Sequence, residues 1–265
     1  MSVPGVVDSH CHLLPRGDGP RREADALLDD ARAAGVVGFV VVGVGKTQQE
    51  ARDAVALAGR HSDVVAAVGV HPHDASGCDD RVFDEIAILA SHPRVTAVGE
   101  IGLDFHYDHS PREVQRAVFR RFVALARSVQ KPIVIHTREA GQECLAILEE
   151  EGARDVGGVI HCFSEDRAFA TRALDLGFAL SFSGILTFKG ARAIHEVAQV
   201  VPGDRMLVET DAPYLAPVPL RGKICEPRMV LHTARRLAEL RGEAYEEVAR
   251  QTTENARAIF GLGAL

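Results

Sequence analysis

The sequence contains no tryptophan and few cysteines, and the cysteines that it has are scattered. Their number is odd and no two form a C-x-x-C pair. This excludes a disulfide framework and argues against a thiolate zinc site. The five are Cys11, Cys78, Cys144, Cys162 and Cys225. No segment approaches the roughly 20 apolar residues of a membrane helix, and no basic-then-apolar leader precedes Asp8. We therefore expect a soluble protein of the cytoplasm, with no membrane partner.

Positive charge and aromatic residues are also in short supply. The chain has 30 Lys and Arg residues and 37 Asp and Glu residues, which gives a formal net charge of −7. This balance argues against a broadly basic surface that grips nucleic acid or an acidic membrane. It does not exclude a phosphate-bearing substrate, because bound cations can invert the field inside a small pocket. With 5% aromatic residues, the core must be built mainly from Val, Ala, Leu and Ile.

Short Val-rich runs alternate with amphipathic stretches along all 265 residues. The runs are Val6–Asp8, Val37–Gly43, Val64–Val70, Val95–Ile101, Pro132–His136, Gly158–Phe163, Phe178–Phe182 and Met206–Glu209. They are nearly continuous and β-branched, which is typical of parallel strands buried on both faces. Helical patterns between and after them include Ala24–Ala34, Gln48–Ala58, Val114–Ser128, Cys144–Glu151, Ala191–Val200, Met229–Leu240 and Ala244–Phe260. Eight such alternations predict an α/β fold, a TIM (β/α)8 barrel that forms a single domain over residues 1–265.

An open doubly wound sheet is the alternative fold. No glycine-rich phosphate loop follows any of the runs; histidines and carboxylates follow most of them. In chain order they are His10 and His12, His71 and His73, Glu100, His136, His161, and Glu209 with Asp211. The carboxyl ends of barrel strands converge on one face, so these side chains should meet there.

Imidazole and carboxylate groups at one barrel mouth favour divalent metal ions. His10 and His12 are two residues apart on a strand and should point to the same side, whereas Cys11 should point away. Glu100 could bridge two ions about 3.5–4 Å apart, the spacing used in two-metal hydrolysis. Any one of these residues alone could be a hydrogen-bonded core residue or a helix cap. Their recurrence at one structural position predicts a metal-dependent hydrolase.

Six segments occur in an order and spacing that resemble the TatD-type metal-dependent deoxyribonucleases across essentially the whole chain. They are Val7–His12, Gly69–His73, Gly99–Asp104, Ile135–Arg138, His161–Ser164 and Glu209–Leu215. The resemblance implies a barrel hydrolase of the amidohydrolase-like superfamily with two divalent ions per chain (Mg, Mn or Zn). It implies that one ion is held by His10, His12, Glu100 and Asp211. Glu100 would bridge to a second ion held by His136 and His161.

The resemblance also implies a substrate and catalytic roles. His71, Arg138, Arg221 and Lys223 match segments that lie near the substrate phosphate. The expected activity is 3′–5′ exonucleolytic cleavage of single-stranded DNA, with Asp211 and Glu100 as the catalytic residues and with no obligate protein partner. Two positions depart from the family pattern: Glu165 stands where glycine is common, and Cys225 where asparagine is common. Both put the substrate preference in doubt.

Two other classes of function are compatible with the sequence. One is an amide or ester hydrolase on the same scaffold, including a D-aminoacyl-tRNA deacylase, because barrel folds host many chemistries. Glu100 stands where many binuclear amidohydrolases carry a modified lysine, which favours the nuclease-like branch. The other is a non-catalytic module that binds metal or nucleic acid.

Overall fold

The computed structural model of the chain describes residues 5–13 and 22–263 and contains one eight-stranded parallel sheet in the order β1 to β8. The strands are β1 (Val6–Cys11), β2 (Val36–Gly43), β3 (Val64–Val68), β4 (Val95–Asp104), β5 (Ile133–Arg138), β6 (Gly158–Ile160), β7 (Phe178–Phe182) and β8 (Met206–Val208). The ring closes just beyond β8, where Asp211 N–H donates to His10 O (2.9 Å) and His12 N–H donates to Ala212 O (2.7 Å). The prediction of a (β/α)8 barrel is confirmed. The single-domain boundaries 1–265 stay a prediction, and residues 1–4, 14–21 and 264–265 lie outside the described part.

Helices follow the strands around the outside of the barrel. They are α1 (Ala24–Ala34), α2 (Gln49–Arg60), α3 (Asp80–Ala90), α4 (Arg112–Ser128), α5 (Gly141–Glu150), α6 (Arg167–Asp175), α7 (Arg192–Val200), α8 (Val230–Arg241) and α9 (Tyr245–Phe260). Two of them, α3 and α6, lie between predicted strands where no helical range was given from the sequence. Each is preceded by an aspartate whose carboxylate caps the helix: Asp79 accepts from Val82 N–H (2.8 Å) and Asp166 accepts from Phe169 N–H (2.9 Å). None of the described helices is long and apolar enough to cross a bilayer.

Small residues fill the inside of the barrel. Alternate strand residues, mostly Val and Ala, form a cluster of their own, separate from the larger cluster between strands and helices. Three residues at the end of the chain, Ala256, Phe260 and Leu262, belong to this inner cluster. Because α9 contacts β1 and β8, it covers one end of the barrel and leaves the other end for polar side chains.

Two strands run further than the sequence predicts, and this extension positions the site. β1 continues from the predicted end at Asp8 to Cys11, and β4 continues from Ile101 to Asp104. Polar residues were interpreted as strand ends, but here the backbone keeps its sheet pairing while the side chains turn into the mouth. Conversely, β6 ends at Ile160 rather than Phe163, because the chain turns away at Cys162, whose φ is +44°.

Candidate metal centre

Glu100 lies at the centre of the polar mouth and is 3% exposed. It stands on β4 between Gly99 and Gly102, and both glycines let β5 approach closely. A Cβ atom at Gly102 would lie 1.9 Å from His136 O, and the φ of +143° at this residue is one that other residues rarely adopt. The glycines around Glu100 therefore bring the carboxylate within reach of histidines from several strands.

Four ligand-type atoms surround one point at the mouth. His10 Nε2 and His12 Nε2 are 3.2 Å apart. Each also lies 3.6 Å from Glu100 Oε2 and 3.4–3.8 Å from Asp211 Oδ1. A tetrahedral ion with ligands at 2.0–2.2 Å has ligand–ligand edges of about 3.3–3.6 Å. Ligand atoms of His10, His12 and Asp211 lie close enough together to hold one ion, and Glu100 Oε2 lies within 3.6 Å of both histidines.

The second carboxylate oxygen of Glu100 faces a different set of histidines. Glu100 Oε1 lies 2.9 Å from His161 Nε2, 3.0 Å from His136 Nδ1 and 3.4 Å from His71 Nε2. The two oxygens of Glu100 thus have different imidazole neighbours, as a bridging ligand requires, while the rings of His10 and His161, one from each set, stack on each other. His71, Glu100 and His136 are close enough together to hold one ion, and so are His10, Glu100 and His161.

Three of these imidazoles are oriented by hydrogen bonds on the ring nitrogen that faces away from Glu100. His12 Nδ1 lies 3.2 Å from Val42 O, His161 Nδ1 lies 3.1 Å from Glu209 Oε1, and His136 Nε2 lies 3.1 Å from Asp104 Oδ2. Such outer partners fix the tautomer and ring angle of metal-ligating histidines. Among the described residues His10 Nδ1 has no such partner, and its ring instead stacks on His161 at 3.9 Å.

Asp104 connects two histidines and a loop. Oδ2 lies 2.9 Å from His73 Nε2 as well as near His136, and Oδ1 accepts from the backbone N–H groups of His106 (3.0 Å) and Tyr107 (2.9 Å). Burial by itself would raise the pKa of Asp104, but the hydrogen bonds from His136 and His73 hold it well below its ordinary value. Asp104 therefore stays a carboxylate and fixes the ring beside Glu100.

The electrostatics of the mouth differ from one imidazole to the next. Burial would lower the pKa of His136 and His161, but neighbouring carboxylates raise both values above the ordinary one, so metal binding there would have to displace a proton. Burial lowers the pKa of His71 to about 3 and also lowers the pKa of His10, so both imidazoles stay neutral, the form that binds metal. Burial would raise the pKa of Glu100, but His161 and His71 hold it well below its ordinary value. Burial raises the pKa of Asp211 to about 6. A buried carboxylate of this kind needs a cation or donors nearby.

The four residues predicted to contact phosphate do not lie in one place. His71 lies inside the imidazole group around Glu100, which makes ligation the stronger interpretation of this residue. Arg138, Arg221 and Lys223 are exposed. The Arg138 guanidinium lies 4.7 Å from the Tyr107 ring and the Arg221 guanidinium 4.4 Å from the Phe188 ring. Their contact with phosphate stays a prediction.

The two departures from the family pattern have different positions. Cys225 is 2% exposed, and its thiol points to Thr210 O at 3.9 Å. The side chain is therefore buried, and the effect of Cys225 on substrate preference stays a prediction. Glu165 is half-buried beside Gly141 and Phe169, and burial raises its pKa. Its effect on substrate preference stays a prediction.

Two outer carboxylates, Asp104 and Glu209, were not assigned a role from the sequence. Glu209 was expected only as a strand-end residue, and no partner was predicted for His73. The spacing contains one usable signal: Asp104 lies four residues after Glu100 on the same strand, so both can face the same side.

Comparisons with known proteins agree with this site. Residues 7–261 match the family model described as TatD related DNase. A protein of Escherichia coli strain K12, called the uncharacterized metal-dependent hydrolase YcfH, is 42% identical over 98% of this chain and 97% of its own. The 3′-5′ ssDNA/RNA exonuclease TatD of Klebsiella pneumoniae is 35% identical over 91% of this chain and 93% of its own. The crystal structure of YjjV, a TatD homologue from Escherichia coli, superposes with a TM-score of 0.87 at 28% identity and covers 97% of this chain and 98% of that one.

The barrel, its polar mouth and these relatives define a metal-dependent hydrolase. More narrowly, the chain belongs to the TatD family.

Proposed function

We propose that the chain is a phosphodiesterase that removes nucleotides from the 3′ end of single-stranded DNA and uses two divalent ions, Mg, Mn or Zn. The observation that carries the proposal is the position of Glu100, whose two oxygens face two separate groups of imidazoles. A relative that is named as a single-strand exonuclease supports the choice of substrate. When bound, the ions would supply an activated water and neutralise charge on the phosphate.

The chain's own residues would hold the ions, orient the water and accept its proton. His10, His12, Glu100 and Asp211 would hold one ion, and His136 and His161 would hold the second together with Glu100. Asp211 is the only one of these ligands on the loop beyond β8, and its side chain is 13% exposed. It can therefore reach a water at the mouth, orient it and accept its proton.

Arg138 would neutralise charge that grows on the phosphate oxygens. It is exposed on β5, two residues beyond His136, and the Tyr107 ring supports its guanidinium. A delocalised cation held against a ring presents several N–H donors in a fixed plane, which suits a phosphate. Lys223 lies on the exposed loop after β8 and would contact phosphate further along the strand.

The test compares wild type with Glu100→Ala. Purified protein is stripped with a chelator, reloaded separately with Mg, Mn or Zn, and given end-labelled single-stranded DNA. Wild type should give a ladder that shortens from the 3′ end, and Glu100→Ala should give none, because both ions lose a ligand.

Glu139→Ala is the matched control. Glu139 is an exposed carboxylate at the same mouth that pairs with His106, so its loss should leave cleavage unchanged. A folded Glu100→Ala protein with wild-type turnover would contradict the proposal. Wild type that binds two ions per chain but cuts no DNA would turn the search to amide and ester substrates. The location in the cytoplasm stays a prediction.

A further inference from the structure

A second concave site lies at the same end of the barrel as the candidate metal centre. We call it the Phe188 groove; its volume is about 550 Å³, within the range of small-molecule sites. One wall is the segment after β7 and the start of α7, and the other wall is the loop after β8. The lining residues that matter here are Ile185, Phe188, Lys189, Ile194, Val218 and Arg221. Both walls follow the carboxyl ends of strands, as do Glu100 and Asp211.

The two walls are fastened to each other, so the groove is already formed. Thr187 Oγ1 accepts from Val218 N–H (2.8 Å) across the groove and donates to Gly184 O (2.7 Å). Gly184 packs so closely on the opposite wall that a Cβ atom there would lie 1.9 Å from Leu215 O. Within the first wall, His195 of α7 is hydrogen-bonded to the segment after β7, with Nε2 2.9 Å from Leu186 O. A ligand would therefore enter without a large ordering cost.

The groove combines an apolar floor with positive charge. Ile185, Phe188, Ile194 and Val218 supply the apolar surface, and Val218 is 47% exposed. Lys189 and Arg221 are exposed at the rim, and within the described ranges none of the residues that line the groove is acidic. In a chain with a net charge of −7, a site with two cations and no carboxylate favours an anion that also carries an apolar face.

Arg221 and Phe188 form a cation–π pair in the groove. The guanidinium carbon lies over the Phe188 ring, 4.4 Å from its centroid, and Arg221 is exposed. Unpaired nucleobases stack on aromatic rings and on guanidinium planes, and their phosphates pair with the charge. A base held in a duplex cannot offer its face in this way.

We propose that the Phe188 groove binds one unpaired nucleobase of the strand, together with the phosphate beside it. The inference rests on the proposed function and adds to it a stacking subsite outside the metal centre. The second wall, with Val218 and Arg221, belongs to the loop after β8 that also carries Asp211, so the groove and the metal centre share one loop. Because only an unpaired base can stack there, the groove would favour single strands. It would do so without contacts to base edges, and therefore without a preference for sequence.

The experiment measures binding apart from cleavage. The full-length chain, kept in chelator so that the strand stays intact, is titrated into a short single-stranded DNA with 2-aminopurine near its 3′ end. The fluorescence of this base falls when it stacks, and the protein has no tryptophan. Phe188→Leu should weaken binding about five- to twentyfold and abolish the quenching. Arg221→Gln should weaken binding and lower the slope of log affinity against log salt by about 0.7, the value of one single-strand phosphate contact.

A matched control comes from another Arg–Phe stack. Arg121 lies 4.2 Å from the Phe83 ring in the outer helical layer, and Arg121→Gln should change neither the affinity nor the quenching. Thermal unfolding of each variant shows whether it is folded. Equal affinity of wild type and folded Phe188→Leu would overturn the proposal, and so would an equal loss of affinity for a blunt duplex.

Turnover of bis(4-nitrophenyl) phosphate by metal-loaded wild type separates the two proposals. Quenching that depends on Phe188, in a protein that hydrolyses neither this ester nor DNA, would keep the groove as a single-strand site and refute the nuclease. Hydrolysis of both substrates without such quenching would keep the nuclease and refute the groove.

Discussion

Replacing Asp104 with asparagine tests how the outer carboxylate positions the metal centre. The side-chain carbonyl of the introduced asparagine can keep the two backbone N–H donors of His106 and Tyr107. Its NH2 group then takes the place of Oδ2, which lies 3.1 Å from His136 Nε2. Two donors would face each other there unless His136 moved its proton to Nδ1. That nitrogen lies 3.0 Å from Glu100 Oε1 and is the one that would bind an ion.

The expected loss follows from this conflict. Either His136 loses its orienting hydrogen bond or its ligand nitrogen becomes protonated. Loss of outer partners of this kind weakens metal affinity about 10- to 100-fold, which is about 1.4–2.7 kcal/mol. The affinity of the ion between His136 and Glu100 should fall by this factor. The ion at His10 and His12 should change less, because Asp104 bonds to the imidazoles of His136 and His73.

Calorimetric titration of stripped protein with Zn and Mn separates the two ions by their affinities. Asp108→Asn is the control, because Asp108 is an exposed carboxylate on the same loop that pairs with Arg112. Thermal unfolding of the metal-free proteins checks that the fold is intact. A folded Asp104→Asn protein that binds both ions with wild-type affinity would refute the reasoning.

Substitutions at three further positions test metal affinity and stability. His161 bonds to only one oxygen of Glu209, Oε1, and the side-chain carbonyl of a glutamine can take the place of that oxygen. Glu209→Gln should therefore keep metal affinity within a few-fold, whereas Glu209→Ala should lower it about tenfold or more. Calorimetric titration of both variants measures this difference. Asp63→Asn should cost about 1 kcal/mol, because Asp63 holds Arg32 through two hydrogen bonds of 2.7 and 2.8 Å. Arg32 lowers the pKa of Asp63. The stabilisation by this pair is therefore present above the ordinary pKa of a carboxyl group and is lost as the pH falls through the lowered pKa of Asp63. The difference in melting temperature between wild type and Asp63→Asn should shrink below about pH 4. Gly59 lies in α2, and a Cβ atom added there would meet no neighbour within 4 Å. Gly59→Ala should therefore raise stability by about 0.5–1 kcal/mol in denaturant unfolding, and a lower midpoint would contradict this.

Strand limits show where sequence periodicity succeeds and where it fails. β7 agrees with the predicted range at both ends, because Phe178–Phe182 is an uninterrupted run of buried residues. β1 and β4 exceed their predicted ends by three residues each, since polarity was taken to end a strand. At a barrel mouth, polar side chains can face the site while their backbone still pairs, so hydropathy alone cannot find the last residue.

Some features of the candidate site could also be predicted from the sequence, and others could not. His10 and His12 could be expected together from their two-residue spacing, and the structure places their Nε2 atoms 3.2 Å apart. The position of His71 beside Glu100 could not be expected, because the distance between β3 and β4 side chains depends on glycines that draw neighbouring strands together. Nor could the outer carboxylates Asp104 and Glu209 be assigned their histidines, since each pairing joins different strands.

The sequence by itself determined the class of fold and the chemistry available at the mouth. Eight apolar runs of strand length require burial on both faces, and the residue type after each run fixes which ligands converge. Only the tertiary structure decided which oxygen of Glu100 faces which imidazole, which carboxylate orients each ring, and that Arg221 rests on Phe188. These are distances of a few ångströms between residues far apart in the chain. They follow from how the strands stagger and how the loops close, which local periodicity does not encode.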